Sequence, residues 1–203
     1  MSIEIKISNR LIPYKLAIKY MNSRVNDLKK GKNKELLWIL EHPKTYTAGI
    51  RSKKNEVIDK KIKIINTNRG GKITLHNPGQ KIIYFVLNLN NRKKDIRNLV
   101  LQLEKSVIEF LKIYKIKSFA DRKKIGIWVK NKKISAIGIK VSGWIAYHGV
   151  SINIKNNLKD YKKILPCGLD NFDVTSLENE GKKNIKKINY NLKKIFIKNF
   201  KKI

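Results

Sequence analysis

A single cysteine, Cys167, stands in a chain of 203 residues. That scarcity excludes an internal disulfide and any zinc site built on several thiolates, and it fits a reducing compartment. The three histidines, His42, His76 and His148, are 34 and 72 residues apart with no carboxylate companion at ligand spacing, so no metal site is expected. No apolar run approaches the roughly 18 residues of a membrane span. The opening "MSIEIKISNRLIPY" alternates apolar and polar residues and lacks the apolar core of a signal peptide. A soluble, cytoplasmic protein with no membrane partner is expected. Neither GxGxxG nor GxxxxGK[ST] occurs, which removes the commonest phosphate-binding loops.

Acidic residues are scarce as well: 15 stand against 47 basic ones, for a formal net charge of +32. A field of that size attracts anions, and nucleic acid is the obvious candidate. Only seven of the 47 are arginine (10, 24, 51, 69, 92, 97, 122), however, and lysine lacks the planar fork that reads bases. The lysines travel with Ile and Asn in every segment, as in "KIKIINTN" and "NYNLKKIFIKNFKKI", rather than forming a patch or stripe. The three Trp, eight Tyr and six Phe follow strand and helix periodicity instead of interleaving with basic residues as a stacking platform. No specific nucleic-acid partner is expected, and the charge reads as a drift of surface composition.

The length suits one substantial domain, 1–203, with no repeat, linker or composition break. Residues 3 to 11 read as a strand, and 13 to 30 as a helix with Pro13 at its first turn and Gly31 at its end. "ELLWILEHP" is a buried strand stopped by Pro43, and 43 to 61 a loop. Strands are expected at 62 to 68, 72 to 76 and 81 to 89, separated by Gly70-Gly71 and by Asn77-Pro78-Gly79. Residues 95 to 114 carry apolar residues at three- and four-residue spacing behind Asp95 as N-cap. "IGIWVKNKKISAIGIKVS" reads as a hairpin turning at Asn131-Lys132, followed by a strand at 145 to 154, a short helix near 158 to 164 and the loop "ILPCGL". The basic tail from 180 onward keeps Ile188, Leu192, Ile195, Phe196 and Phe200 at helical spacing. Interleaved helices and hairpins predict an α/β (α+β) fold, a mixed sheet flanked by helices.

The rare polar residues gather near sharp turns. A lone cysteine is most often a small buried hydrophobe. In "PCG", though, flanking Pro and Gly fix the thiol and leave amides free. A thiol of pKa near 8.5 needs a base or cation beside it to act as a nucleophile, and His76, His148 and a partly desolvated lysine are the candidates. Lys133 opens the small, apolar segment "KISAIGI", where burial of its stem would depress its amine. "RGGKITLHNPGQ" reads locally as strand, tight turn, strand, or alternatively as a binding wall where Gly70 and Gly71 admit a ligand close to the backbone.

Six blocks in order, "EHPKTYTAG" (41 to 49), "RGGKITLHNPGQ" (69 to 80), "GIWV" (126 to 129), "KISAIGIKVS" (133 to 142), "YHGVSINI" (147 to 154) and "LPCGL" (165 to 169), resemble the lipoyl(octanoyl) transferases. The resemblance covers about residues 35 to 177 and leaves the tail at 180–203 unassigned. It implies the catalytic fold shared with biotin and lipoate protein ligases, no cofactor, and transfer of an octanoyl group from octanoyl-acyl carrier protein to a lysine of a lipoyl domain. The acceptors would be lipoyl domains of 2-oxo acid dehydrogenase complexes or the glycine cleavage H protein. Cys167 would form the acyl thioester, and Lys133 would lower its pKa or take its proton. Arg69, Gly70, Gly71, Lys72, Ile73, Thr74, Leu75 and His76 would form one acyl-binding segment. Ala136, Ile137 and Gly138 would form a second, and Gly149, Val150 and Ser151 a third, with His148 as possible support.

Leu75 stands where the family usually has tyrosine, Asn77 where it has glycine and Ser135 where alanine is common. Asn77 is therefore expected to tolerate a turn geometry that suits glycine. An ATP-dependent lipoate or biotin protein ligase on the same fold is the alternative. It would share Lys133 but would have no use for a nucleophilic Cys167. A basic nucleic-acid-binding protein is the more distant one.

Overall fold

The computed structural model describes residues 2–121, 124–165, 173–182 and 185–203. Ten strands and three helices alternate along them. The main sheet has seven strands in the order β1-β2-β6-β10-β9-β8-β7. These are β1 (Ile3–Leu11), β2 (Glu35–Glu41), β6 (Gln80–Asn88), β7 (Phe119–Ala120), β8 (Ile127–Val129), β9 (Lys132–Ser142) and β10 (Ile145–Asn153). Only β1 and β2 run parallel, because helix α1 (Tyr14–Lys29) carries the chain back between them.

Alternation along the central strands sorts two cores. Leu36, Trp38 and Leu40 of β2 and Ile82, Tyr84 and Val86 of β6 face α1, meeting Ala17, Met21, Val25 and Leu28. Their neighbours Leu37, Ile39, Ile83, Phe85 and Leu87 face the opposite way, onto α2 (Ile96–Ile113) and α3 (Ile188–Phe200). Asp95 caps α2 by accepting from the Asn98 amide at 2.9 Å, as its position before the periodic run predicts. The basic tail is therefore a second helix on this face. Asn199 Nδ2 donates to Ser106 Oγ of α2 (3.1 Å), and Phe200 meets Phe85 edge-on at 5.6 Å.

The strands expected at 62 to 68 and 72 to 76 form as β4 (Ile64–Asn66) and β5 (Thr74–His76), but they do not pair with each other. The segment expected as a loop contains β3 (Thr45–Ala48), which lies between them, parallel to β4 and antiparallel to β5. A hairpin across Gly70-Gly71 is thus ruled out, and residues 67 to 73 become a loop free to serve another purpose. Likewise β5 and β6 belong to different sheets, so Asn77-Pro78-Gly79 is a corner from one sheet to the other, with Gly79 at φ +88°. The hairpin between β8 and β9 turns one residue early, at Lys130-Asn131, with Lys130 at φ +52°. The expected helix near 158 to 164 is a 3-10 segment, Leu158–Lys163.

Candidate active site

Between the small sheet and the α1-facing side of the main sheet lies a cavity of about 300 Å³. Its first wall is the loop and strand carrying Arg69, Gly71, Lys72, Ile73, Thr74 and His76. The second is β9 and β10, contributing Ala136, Ile137 and Gly138 and then Gly149, Val150 and Ser151. Lys133, near the start of β9, also lines it, and Ile82 joins from β6. Twelve of the fourteen residues expected to bind substrate therefore meet around one space, although they come from three separate stretches of chain.

The other two are placed elsewhere. Leu75 is fully buried in a small apolar cluster with Tyr46, Ile73 and Tyr161. Gly70 donates its amide to Ile139 O (3.1 Å), and a Cβ on it would lie 2.8 Å from that same oxygen. Its smallness thus serves contact between the loop and β9. The same holds for Gly149, where a Cβ would sit 1.9 Å from Ile83 O of the neighbouring strand. Gly71 is glycine for its φ of +89°.

Arg69 organises the first wall from within. Its Nη2 donates to Thr47 O (2.8 Å) and Thr47 Oγ1 (2.9 Å), and its Nη1 to Gly70 O (3.0 Å). The loop after β3 zips onto it, with Ile50 N donating to Arg69 O and Arg51 N to Gly71 O, both at 3.1 Å. Gly49 is required there, because a Cβ would fall 2.4 Å from Gly71 O. Lys72 pairs with the buried carboxylate of Glu56 at 3.1 Å.

The histidines are held neutral. Burial, reinforced by the Arg69 charge, pushes His76 and His148 down to about 3, and burial brings His42 to about 4. In His76 the tautomer follows from its partners. Gln80 Nε2 donates to Leu75 O (3.2 Å) and Asn153 Oδ1 (2.9 Å), so Gln80 Oε1 accepts from His76 Nδ1 at 2.8 Å. His76 Nε2 is thereby left as an acceptor. His148 adopts φ +73°, stacks on Tyr147 and bonds Asn68 Oδ1 through Nε2 at 2.8 Å. It does not line the cavity. Bases this weak do not take a proton from a thiol near pH 7. The direction of these shifts disfavours His76 and His148 as bases and favours a lysine among the three kinds of candidate.

Lys133 is buried, at 5 % exposure. Its Nζ donates to Ile125 O at 2.7 Å and lies 5.6 Å from the centre of the Trp128 ring. A register shift between β8 and β9 just beyond it, where Trp128 opposes Lys133 but Ile127 opposes Ser135, re-aims the strand at this point. Gly126, at φ +137°, leaves the space that the lysine stem fills. Cys167 lies outside the described residues, but both flanks of its segment are anchored at the cavity. Leu165 N donates to Glu56 O (2.8 Å), while Lys133 N donates to Asp173 O (2.8 Å) and Lys133 O accepts from Thr175 N (2.9 Å).

Residues 13–200 match the family described as the lipoyl protein ligase A/B catalytic domain. The chain is 41% identical over 204 residues to the octanoyltransferase of Wolbachia sp. subsp. Brugia malayi, covering 98% of this chain and all of that one. It is 44% identical over 185 residues to that of Ehrlichia chaffeensis, covering 88% and 86%. The chain belongs to the octanoyltransferase family. Among solved structures, lipoate-protein ligase A bound with ATP superposes with a TM-score of 0.76 at 14% identity, over 98% of this chain and 86% of that one. A bipartite lipoate protein ligase from Thermoplasma acidophilum gives 0.73 at 15%, over 99% and 84%. At such identity these two report the fold alone, which is the ligase-like α/β architecture that the sequence blocks imply.

Within this octanoyltransferase-family site, the residues not foreseen are those at the mouth and behind the walls. Arg51, Lys124 and Ile125 border the opening, and Thr47 and Glu56 hold the first wall. Gly126 had a readable signal, a glycine in the apolar run "KIGIWV"; the rest are ordinary loop residues. Asn77 departs from the family without strain. It has no positive φ, and its Nδ2 donates to Asn157 O (2.8 Å) while its Oδ1 accepts from Asn156 Nδ2 (3.0 Å). Among the described residues no group of His, Cys, Asp and Glu suits a metal ion, and no helix is long and apolar enough to cross a membrane.

Proposed function

We propose that this enzyme, acting as one catalytic domain in the cytoplasm, moves an octanoyl group from octanoyl-acyl carrier protein to a lysine of a lipoyl domain through a thioester on Cys167. The acceptors are lipoyl domains of 2-oxo acid dehydrogenase complexes or the glycine cleavage H protein. The observation that carries this reading is the 41% and 44% identity to octanoyltransferases over 98% and 88% of the chain. Lys133 supports the chemistry: it is a buried lysine lining an acyl-sized cavity, and its own backbone is bonded to the chain returning from the Cys167 segment.

In the first half-reaction Lys133 holds the proton of the Cys167 thiol, and the thiolate attacks the donor thioester carbonyl. The C–S bond to the carrier arm breaks, and that thiol leaves with the proton from the Lys133 ammonium, which becomes neutral. In the second, the acceptor ε-amine attacks the new thioester, expels Cys167 and loses a proton, so that a thioester is exchanged for an amide. The Lys133 ammonium favours the Cys167 thiolate by its charge, and its neutral form takes the proton of the attacking amine. The covalent stop separates two encounters that would otherwise require both carrier proteins at one mouth. The apolar walls hold the acyl tail at about 0.8 kcal/mol per buried methylene, roughly 5 kcal/mol for the six of an octanoyl chain.

A ligase of the same fold activates a free acid with ATP and has no need of Cys167. The discriminating assay supplies octanoyl-acyl carrier protein and a lipoyl domain without ATP. Transfer by the wild type and a loss of more than a hundredfold in Cys167→Ser are expected. Dependence on ATP, or a loss below tenfold in that variant, contradicts the thioester route.

A further inference from the structure

A second hollow, of about 730 Å³, lies beside the cavity mouth, between α1 and β4. Tyr14, Ile18, Ile50 and Ile65 line it together with Lys15 and Lys19, and no acidic side chain contributes among the described residues. Both lysines are exposed. Ile50 is 70 % exposed, an unusual setting for so large an apolar side chain in a loop otherwise zipped onto the first wall. It is also the direct neighbour of Arg51, which borders the acyl cavity, so the groove and the cavity share one edge.

From this geometry we infer that the α1–β4 groove is the docking site of the acyl donor, an acidic carrier protein bearing its thioester on a long flexible arm. The inference rests on the transfer reaction proposed above. Reach assigns the donor rather than the acceptor to this place. The acceptor presents a lysine side chain, which is short and obliges its domain to sit on the mouth itself. The donor's phosphopantetheine arm is several times longer, so its carrier can sit to one side and pass the arm over Ile50 and Arg51 into the cavity. The groove thus leaves the mouth clear for the second encounter. Isoleucines beside the two exposed lysines of α1 complement a helix that is acidic with a few apolar residues, and charge of opposite sign speeds such an encounter.

The diffuse positive surface makes a control necessary, and the molecule supplies one. A similar hollow between α2 and α3, on the opposite face of the main sheet, includes Lys112 and Lys194. Lys15→Glu and Lys15→Glu/Lys19→Glu are compared with Lys112→Glu/Lys194→Glu in the full-length enzyme. Octanoyl-acyl carrier protein, octanoyl-pantetheine and a lipoyl domain are varied in turn. The groove variants are expected to raise KM for octanoyl-acyl carrier protein at least tenfold while changing KM for octanoyl-pantetheine and for the lipoyl domain less than twofold. The α2–α3 control should change none of them by more than twofold. An equal rise in the control assigns the effect to general charge and overturns the proposal. A rise for the lipoyl domain alone, or no rise at all, overturns it too. Transfer from octanoyl-pantetheine by the wild type tests the reaction itself, so failure of the groove and failure of the proposed chemistry are read separately.

Discussion

A Cβ placed on Gly126 would lie 2.4 Å from Lys133 Cε and 2.6 Å from Ser135 O, so a side chain there and the lysine stem cannot both keep their places. Gly126 also holds φ +137°, which a side chain resists. Gly126→Ala is therefore expected to displace Lys133 and lower kcat at least tenfold with little change in KM, approaching the effect of Lys133→Ala. Steady-state kinetics, with circular dichroism to establish folding, checks this. Full activity in a folded Gly126→Ala would show that the observed lysine position is not needed.

Ala136 lines the cavity proposed to hold the acyl tail. Ala136→Leu should fill part of the space for the acyl tail and shift preference toward shorter chains. Each excluded methylene is worth about 1–3 kcal/mol of discrimination. The ratio of kcat/KM for hexanoyl over octanoyl donors should rise at least tenfold. An unchanged ratio would remove Ala136 from the acyl wall.

The three buried histidines make stability depend on pH with a definite sign. Their folded pKa values, about 3 for His76 and His148 and about 4 for His42, lie below the ordinary 6.5. Between those limits the unfolded chain binds protons that the folded chain refuses. The stabilisation is therefore complete above pH 6.5 and is lost as pH falls toward 3. At pH 5 each histidine costs about 2 kcal/mol relative to pH 7. Urea unfolding from pH 7.5 to 5 should show this steep loss, and His148→Gln should remove about a third of it. A flat profile would contradict the buried neutral state.

Much of this was legible in the chain itself, and what was not has a physical reason. Spacing alone locates α1, α2 and β10 to within a residue or so, because each helix turns one apolar face to one core and β10 is a buried run between the two cores. Lys133 stands out because a charged residue opens a run of small apolar ones. Pairing between distant strands is a different matter. β3 is four residues long and indistinguishable from loop until β4 and β5 flank it, so a hairpin across Gly70-Gly71 is the natural but wrong local reading. The glycines mislead in a similar way. Gly70 reads as room for a ligand, yet a Cβ there would meet the Ile139 carbonyl, while Gly149 both lines the cavity and passes close to Ile83 O. His148 is invisible as a neutral residue until its surroundings are known.

Asn77 illustrates a compensation of this kind. The glycine that the resemblance implies at this place suggests a demanding turn, but the turn angle belongs to Gly79, and Asn77 instead bonds Asn156, Asn157 and Asp160. Asn77→Gly is expected to destabilise the protein by about 1–3 kcal/mol, through lost hydrogen bonds and a freer unfolded chain, with kcat unchanged within twofold. Thermal unfolding alongside kinetics checks both halves. A stabilised variant would show that those bonds contribute nothing.

The thioester on Cys167 is the centre of the account, and intact-mass measurement tests it most directly. The enzyme is mixed with octanoyl-acyl carrier protein and no acceptor, then weighed before and after hydroxylamine. The account predicts one octanoyl adduct on the wild type, removed by hydroxylamine and absent from Cys167→Ala. No adduct in the presence of a carrier that supports transfer would contradict it.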